Sequence, residues 1–382
     1  MDDTSFAELA PSRSELSSAR RWVVKVGSAM LTAGGRRFDH GVIHNLVQQL
    51  VALRERGCEV VLVSSGAIAA GVVRLGFEHR PKDIHTLQAA AAVGQSALIR
   101  AYEDALAPHG ITTAMVLLSH ADIRARDRYL NARTTLQTLI SLGVMPVVNE
   151  NDTVVTDEIR LGDNDTLAAL VANLIDADAL VILTDQEGLF DKNPSAHADA
   201  QLITESDVNN PALDTMVGEG GAFGRGGMIT KLRAARLAAR SGTTTVIASG
   251  ANPNVIPAIA AGQRVGTYLA ADTRPQSARK QWLASLMHAK GTLVLDGGAV
   301  DNVVTRGRSL LPIGVVSVEG EFARGELVRC VDETGREIAR GLVNYGAHEA
   351  RLLLRRSSAD IPSILGYGGD AEMIHRDNLV RV

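Results

Sequence analysis

The 382 residues suffice for two domains at the usual ~100–200 residues each, and 46% hydrophobic with 21% charged residues is ordinary for a globular protein. A net charge of −4 supplies no basic field to gather nucleic acid, and the two cysteines, Cys58 and Cys330, fit neither a metal spacing nor a disulfide framework. The polar first twenty residues hold no leader-like apolar run, and no later stretch reaches the roughly 18 apolar residues of a membrane span, so a cytoplasmic protein without membrane contact is expected.

Residues 1–19 are expected to be disordered or extended. Trp22–Val26 then forms a short aliphatic strand with Lys25 at its end and Gly27 and Ser28 directly after it. Glycine there lets backbone N–H groups approach phosphate oxygens while the lysine supplies charge, although a lysine at a strand end also simply reaches for solvent. No Walker-type phosphate loop occurs in the chain. The 3.6-residue period predicts a helix over Val42–Arg56. The strand Glu59–Val63 follows, then a turn at Ser64, Ser65 and Gly66 that opens another helix. Ser65 with the N–H groups of Gly66 and Ala67 forms either an anion-binding helix start or an ordinary cap.

His85–Ala107 is a helical stretch whose Ala-rich part, Leu87–Val93, is buried. Thr113–Leu118 and Val144–Val148 are strands separated by the helix Ala132–Leu142. Beyond the latter strand come Asn149, Glu150, Asn151 and Asp152, and then Asp163, Asn164 and Asp165 opening the helix Thr166–Leu174. The second cluster resembles part of a calcium loop but lacks its closing Glu. Ala179–Leu183 ends at Thr184 and Asp185. Gly224–Gly227 leads through Met228, Ile229, Thr230 and Lys231 into the helix Met228–Ser241, followed by the strand Thr244–Ala248. Alternating strands and helices predict an α/β three-layer sandwich on a mainly parallel sheet, with these polar clusters at the carboxyl ends of its strands. This domain is expected over 20–270, and 271–287 is expected to be a linker carrying a short helix at Arg279–Met287. Closely spaced runs at Thr292–Leu295, Gly314–Val318, Glu326–Cys330 and Glu337–Val343 predict a small all-β domain over 288–382.

In this order along the chain (strand–Lys–Gly, SSGA, NEND, GDND, TD, then GGMxTK), the motifs resemble the amino-acid-kinase family. Within it they resemble the branch that phosphorylates the γ-carboxylate of L-glutamate with ATP and Mg²⁺, the first step of proline biosynthesis. The resemblance covers 20–380, and its C-terminal part looks like a PUA domain. Ser28 stands where that branch commonly has Thr, and Arg225 where a small or hydroxyl residue is common.

The resemblance implies catalytic roles for Lys25, Lys231 and Asp165, with the aspartate holding both lysines. It implies glutamate binding by Ser65, Gly66, Asp152 and Asn164. ATP binding falls to Lys25, Gly27, Thr184, Asp185, Arg225, Gly226, Gly227, Met228, Ile229, Thr230 and Lys231. It further implies a homo-oligomer (dimer or tetramer), hand-over of the acyl phosphate to glutamyl-phosphate reductase, and proline as a feedback inhibitor. The same fold elsewhere serves kinases of aspartate, acetylglutamate, carbamate and nucleoside monophosphates. PUA modules elsewhere bind RNA, but 288–382 holds 12 Lys and Arg against 13 Asp and Glu, without the basic excess that nucleic acid demands.

Overall fold

The computed structural model describes residues 13–31, 39–155, 164–218, 227–271 and 289–381. The chain divides into two compact units, Met1–His120 with Thr134–Pro275, and Ala121–Arg133 with Gln276–Val382. The break near 275 falls inside the expected linker. The assignment of 121–133 to the second unit was not expected, because this stretch belongs to the helices His120–Arg124 and Arg126–Ser141 and carries no boundary signal. The expected helix Arg279–Met287 lies outside the described residues.

In the first unit the described strands are β1 (Arg21–Val26), β2 (Glu59–Ser64), β3 (Thr113–Leu118), β4 (Met145–Glu150), β5 (Ala179–Thr184), β6 (Glu205–Asp207), β7 (Thr244–Ser249) and β8 (Thr267–Ala270). They form one sheet in the order β3-β4-β2-β1-β5-β7-β8-β6. From β3 to β7 every pairing is parallel; β8 runs antiparallel to β7, and β6 parallel to β8. The central strands are largely aliphatic because both their faces are covered, β4 and β5 being buried at every residue, with polar residues gathered toward their carboxyl ends. The strands β6 and β8 escaped the sequence reading because three or four residues are too few to show a period.

Alternation along β1 sorts its side chains between two layers. Trp22, Val24 and Val26 join a core with Leu46 and Leu50 of the helix His40–Glu55, Leu98 and Tyr102 of Ile84–Leu106, and Ile256 of Val255–Ala260. On the other face the helices Asn164–Ile175 and Met228–Ala239 pack against each other and on β1 and β7. From β1 the chain passes to β2 on one side, and after β4 it crosses to β5 on the other. Loops leaving the carboxyl ends diverge at such a switch and open a crevice.

One early expectation fails for a clear reason. Residues 13–19 are not extended or disordered: Ser14–Ser18 is helical, and Arg13 is buried beside it. The Arg13 guanidinium donates to the carbonyls of Gln263 (2.8 Å), Val265 (3.0 Å), Gly266 (2.9 Å) and Thr204, and lies 5.8 Å from the centroid of the Tyr268 ring. No periodic pattern announces a single arginine used as a peg.

In the second unit β9 (Gly291–Leu295), β10 (Val315–Gly320), β11 (Leu327–Asp332), β12 (Glu337–Leu342) and β13 (Leu379–Arg381) form a sheet in the order β10-β9-β11-β12-β13, antiparallel except for β9 with β11. Its core joins Leu293, Cys330, Val343, Tyr345 and Leu353. The unit is β-rich but not all-β. The helices Gly297–Val304, Ala347–Leu352 and Ile361–Leu365 belong to it, the longest of them eight residues and therefore hard to see in sequence. Among the described residues, no helix of the chain is long and apolar enough to cross a membrane.

Candidate active site

Lys25 is the fifth residue of β1 and alternates with Val24, so it leaves the sheet toward the Asn164–Ile175 helix. There its Nζ meets Asp165 Oδ1 at 2.5 Å. The other carboxylate oxygen, Oδ2, receives Lys231 Nζ at 3.0 Å and Thr230 Oγ1 at 3.1 Å, both from the first turn of the Met228–Ala239 helix. Three elements distant in sequence thus meet on one carboxylate. All three charged groups are buried, with Asp165 only 1% exposed.

Burial alone would raise the Asp165 carboxyl. The Lys25 and Lys231 ammoniums flanking it outweigh that effect and hold it below the ordinary carboxylate range. The cluster keeps a surplus of one positive charge. Lys231 also stands in the first turn of a helix, where the backbone dipole disfavours a cation. A buried cation pair at a helix start is costly as architecture and well suited to a polyanion.

A second cluster adjoins the first through the chain neighbours Asn164 and Asp165. The Asn164 amide donates to Ser65 Oγ at 2.7 Å and to Asn149 Oδ1 at 2.9 Å. Asn149 in turn donates to Gln95 Oε1 at 2.9 Å, and its Oδ1 also accepts the Glu150 N–H at 2.9 Å. Ser65 is held in place by its own N–H on the Val26 carbonyl, 3.1 Å away, which ties the β2 loop to the end of β1. Ser64, the last residue of β2, shares a hydrogen bond of 2.8 Å with the Tyr102 hydroxyl. Tyr102 is wholly buried, and burial pushes that hydroxyl upward, so it stays protonated.

Gly66 rather than Ser65 occupies the cap position of the Ala67–Arg74 helix. Its φ of 106° lies in the left-handed region, where a side chain would be strained. Among the described residues no side chain caps this helix, nor the Met228–Ala239 helix behind Gly227. Both helix starts are capped by glycine, Gly66 and Gly227, and helix starts of this kind present backbone N–H groups that favour anions.

The other expected residues that are described fall just past strand ends or at a helix start. Gly27 directly follows β1, and a Cβ there would lie 3.6 Å from Lys25 Nζ. Thr184 ends β5; its hydroxyl donates to Asp185 Oδ1 at 3.0 Å, and its carbonyl accepts the Gly250 N–H at 2.9 Å. Asp185 and Ile229 are exposed, while Met228 is half-buried. Asp152 sits half-buried two residues past β4, in a turn closed by the Val154 N–H on the Asn151 carbonyl at 3.1 Å. Arg225 and Gly226 lie outside the described residues. The sequence reading missed Asn149 as the hinge of the polar chain and Gln95 as its anchor. Asn149 belonged to a visible cluster, but Gln95 lies mid-helix, where nothing distinguishes it.

Comparison with known proteins matches residues 20–249 to the model of the amino acid kinase family and residues 291–365 to that of the PUA domain. A glutamate 5-kinase of Nitrosococcus oceani is 59% identical over 369 residues, 96% of this chain and 98% of that one. Glutamate 5-kinases of Pseudomonas paraeruginosa and Methylococcus capsulatus are 58% and 56% identical, covering 97% of this chain and 100% and 99% of theirs.

Proposed function

The chain belongs to the amino acid kinase family, and on that premise we propose that it transfers the γ-phosphoryl group of ATP to the side-chain carboxylate of L-glutamate, the first step of proline biosynthesis. The observation that carries this reading is the Lys25–Asp165–Lys231 bridge, present in a chain that resembles glutamate 5-kinases over almost its whole length.

The glutamate carboxylate, with an ordinary pKa near 4.3, is already ionised at neutral pH, so no general base is required. One of its oxygens attacks the γ-phosphorus, the bond to the β,γ-bridging oxygen breaks, and ADP departs with the electron pair. No proton moves. The obstacle is the approach of one anion to another, and the protein's contribution is placement and charge. In our reading Lys25 and Lys231 face the transferring group from β1 and from the Met228–Ala239 helix, and Asp165 fixes their spacing while leaving a net positive charge. Gly27, Thr184, Asp185 and the segment 225–231 receive the nucleotide.

Ser65, Gly66, Asp152 and Asn164 receive glutamate, and the hydrogen-bond chain gives the first and last a polarity. Because the Asn164 amide protons go to Ser65 Oγ and Asn149 Oδ1, the Ser65 hydroxyl keeps its proton to donate to a carboxylate. The Asn164 carbonyl oxygen is left to accept, which suits the substrate ammonium, as does the carboxylate of Asp152. Among the described residues no group of three or more His, Cys, Asp or Glu could cage a metal. In this reading Mg²⁺ would accompany the nucleotide and lessen the charge of its phosphates. A homo-oligomer, a cytoplasmic location, proline competing at the glutamate site and prompt hand-over of the reactive acyl phosphate to a reductase complete the proposal. The oligomer, the proline competition and the hand-over rest on family resemblance.

The test is an acceptor panel. The protein with ATP and Mg²⁺ is offered glutamate, aspartate, acetylglutamate, carbamate and UMP, with hydroxylamine trapping any acyl phosphate and ADP release following the rest. Glutamate alone should give rapid hydroxamate formation. Faster turnover with another acceptor overturns the assignment.

A further inference from the structure

The second unit carries a feature that carboxylate phosphorylation does not use. On the sheet face turned away from the Leu293–Cys330 core, one cross-strand row runs Glu319, Thr292, Arg329, Arg340 over β10, β9, β11 and β12. Arg329 and Arg340 are direct partners in the antiparallel register. Like charges placed opposite one another weaken a sheet, so the pairing calls for a compensating anion. Arg340 has one, since its Nε donates to Glu337 Oε1 at 2.5 Å. Arg329 instead leans on a neutral group, donating from Nη2 to Thr292 Oγ1 at 3.2 Å. Each of these contacts occupies one N–H of its guanidinium.

The two arginines form part of the lining of a cavity of about 450 Å³, whose rim also carries Lys290 and Glu319. That volume suits a small organic ligand. Lys290, Arg329 and Arg340, set against Glu319 on the rim and Glu337 already paired with Arg340, leave the described lining net positive and favour an anionic ligand. Guanidinium forks match phosphate oxygens two at a time. A nucleic acid needs a run of cations along its backbone, which this short row does not offer and the charge balance of 288–382 does not extend. We propose that this groove on the β-rich unit binds a small, phosphate-bearing anion, through residues other than Lys25, Asp165 and Lys231.

The probe is inorganic pyrophosphate, titrated calorimetrically into the full-length protein at low salt. The variants are Arg329→Gln, Arg329→Lys, Arg340→Gln and, to remove a phosphate contact from the other cluster, Lys231→Ala. Pyrophosphate should still bind Lys231→Ala, and should bind Arg329→Gln about tenfold more weakly than the parent protein. Arg329→Lys should fall between, because it keeps the charge without the fork, and glutamate-dependent turnover should not change in the arginine variants. If Arg329→Gln is unstable on melting, Arg329→Lys and Arg340→Gln supply the same comparison. Loss of all pyrophosphate binding in Lys231→Ala, with no effect of the arginine variants, overturns the proposal. So does tighter, Arg329-dependent binding of a single-stranded oligonucleotide, which assigns the groove to nucleic acid.

Discussion

Asp165 holds two buried ammoniums with one carboxylate, so its removal does more than slow a reaction. Asp165→Asn leaves Lys25 and Lys231 facing each other out of water, a loss on the order of 3–5 kcal/mol for a broken buried pair. Denaturant titration should register that loss together with a collapse of kcat. Lys231→Ala leaves Asp165 still paired with Lys25, so kcat should fall at least a hundredfold with a smaller loss of stability. Near-normal turnover in either variant removes these residues from the chemistry. The carboxyl is also a pH handle. Its folded pKa is depressed, so as acid is added the unfolded chain takes up this proton first, near the ordinary value of about 3.9. The stabilisation is complete above that value and is lost as pH falls toward the folded pKa. The stability gap between the parent protein and Asp165→Asn should therefore be full at pH 6 and shrink below about pH 4; a gap constant over that range contradicts the assignment. Asp152 acts at the substrate end alone in this reading: Asp152→Ala should raise KM for glutamate and leave KM for ATP nearly unchanged, and equal effects on both would misplace it.

The elements that carry Ser65 and Gly66 are set by backbone contact. The helices Ala67–Arg74 and Ile84–Leu106 meet at Gly71 and Gly94, where a Cβ would lie 1.7 Å from the carbonyl oxygens of Ala90 and Ala67 respectively. No side chain can shift to relieve an overlap with backbone, so Gly94→Ala must push the Ala67–Arg74 helix away from its partner. A cost of about 1–3 kcal/mol, typical of overpacking, is expected. The same displacement moves the Ser65–Gly66 turn, so KM for glutamate should rise more than KM for ATP. A melting temperature within a degree of the parent's, with unchanged KM, would mean that this helix contact does not position the turn.

At the scale of the molecule, and among the described residues, the hydrophobic core around Trp22, Leu50 and Val181 shares no residue with that around Leu293, Tyr345 and Leu353. Each unit therefore has its own source of cohesion. Leu353→Ala empties space in the second core at about 2–5 kcal/mol. Calorimetry should show a lowered transition for the β-rich unit, while glutamate-dependent turnover below that transition persists. Equal loss of turnover and of folded β-rich unit would tie the chemistry to both cores.

The sequence by itself determined the strands and helices that repeat a period, hence the parallel α/β class and the β-rich end. It also placed Lys25, Ser65, Asn164, Thr184 and Lys231 at strand ends or helix starts, because glycine turns and buried aliphatic runs are local signals. That Lys25 and Lys231 share Asp165 was implied only by the family resemblance and not by any local signal, since that meeting spans more than 200 residues and depends on strand order. Nor could the sequence mark Gln95, Tyr102 or Arg13, ordinary residues in ordinary helical or polar stretches whose value lies in what the fold sets against them. Periodicity records which face of an element is buried; only the tertiary structure decides which polar group waits on the other side.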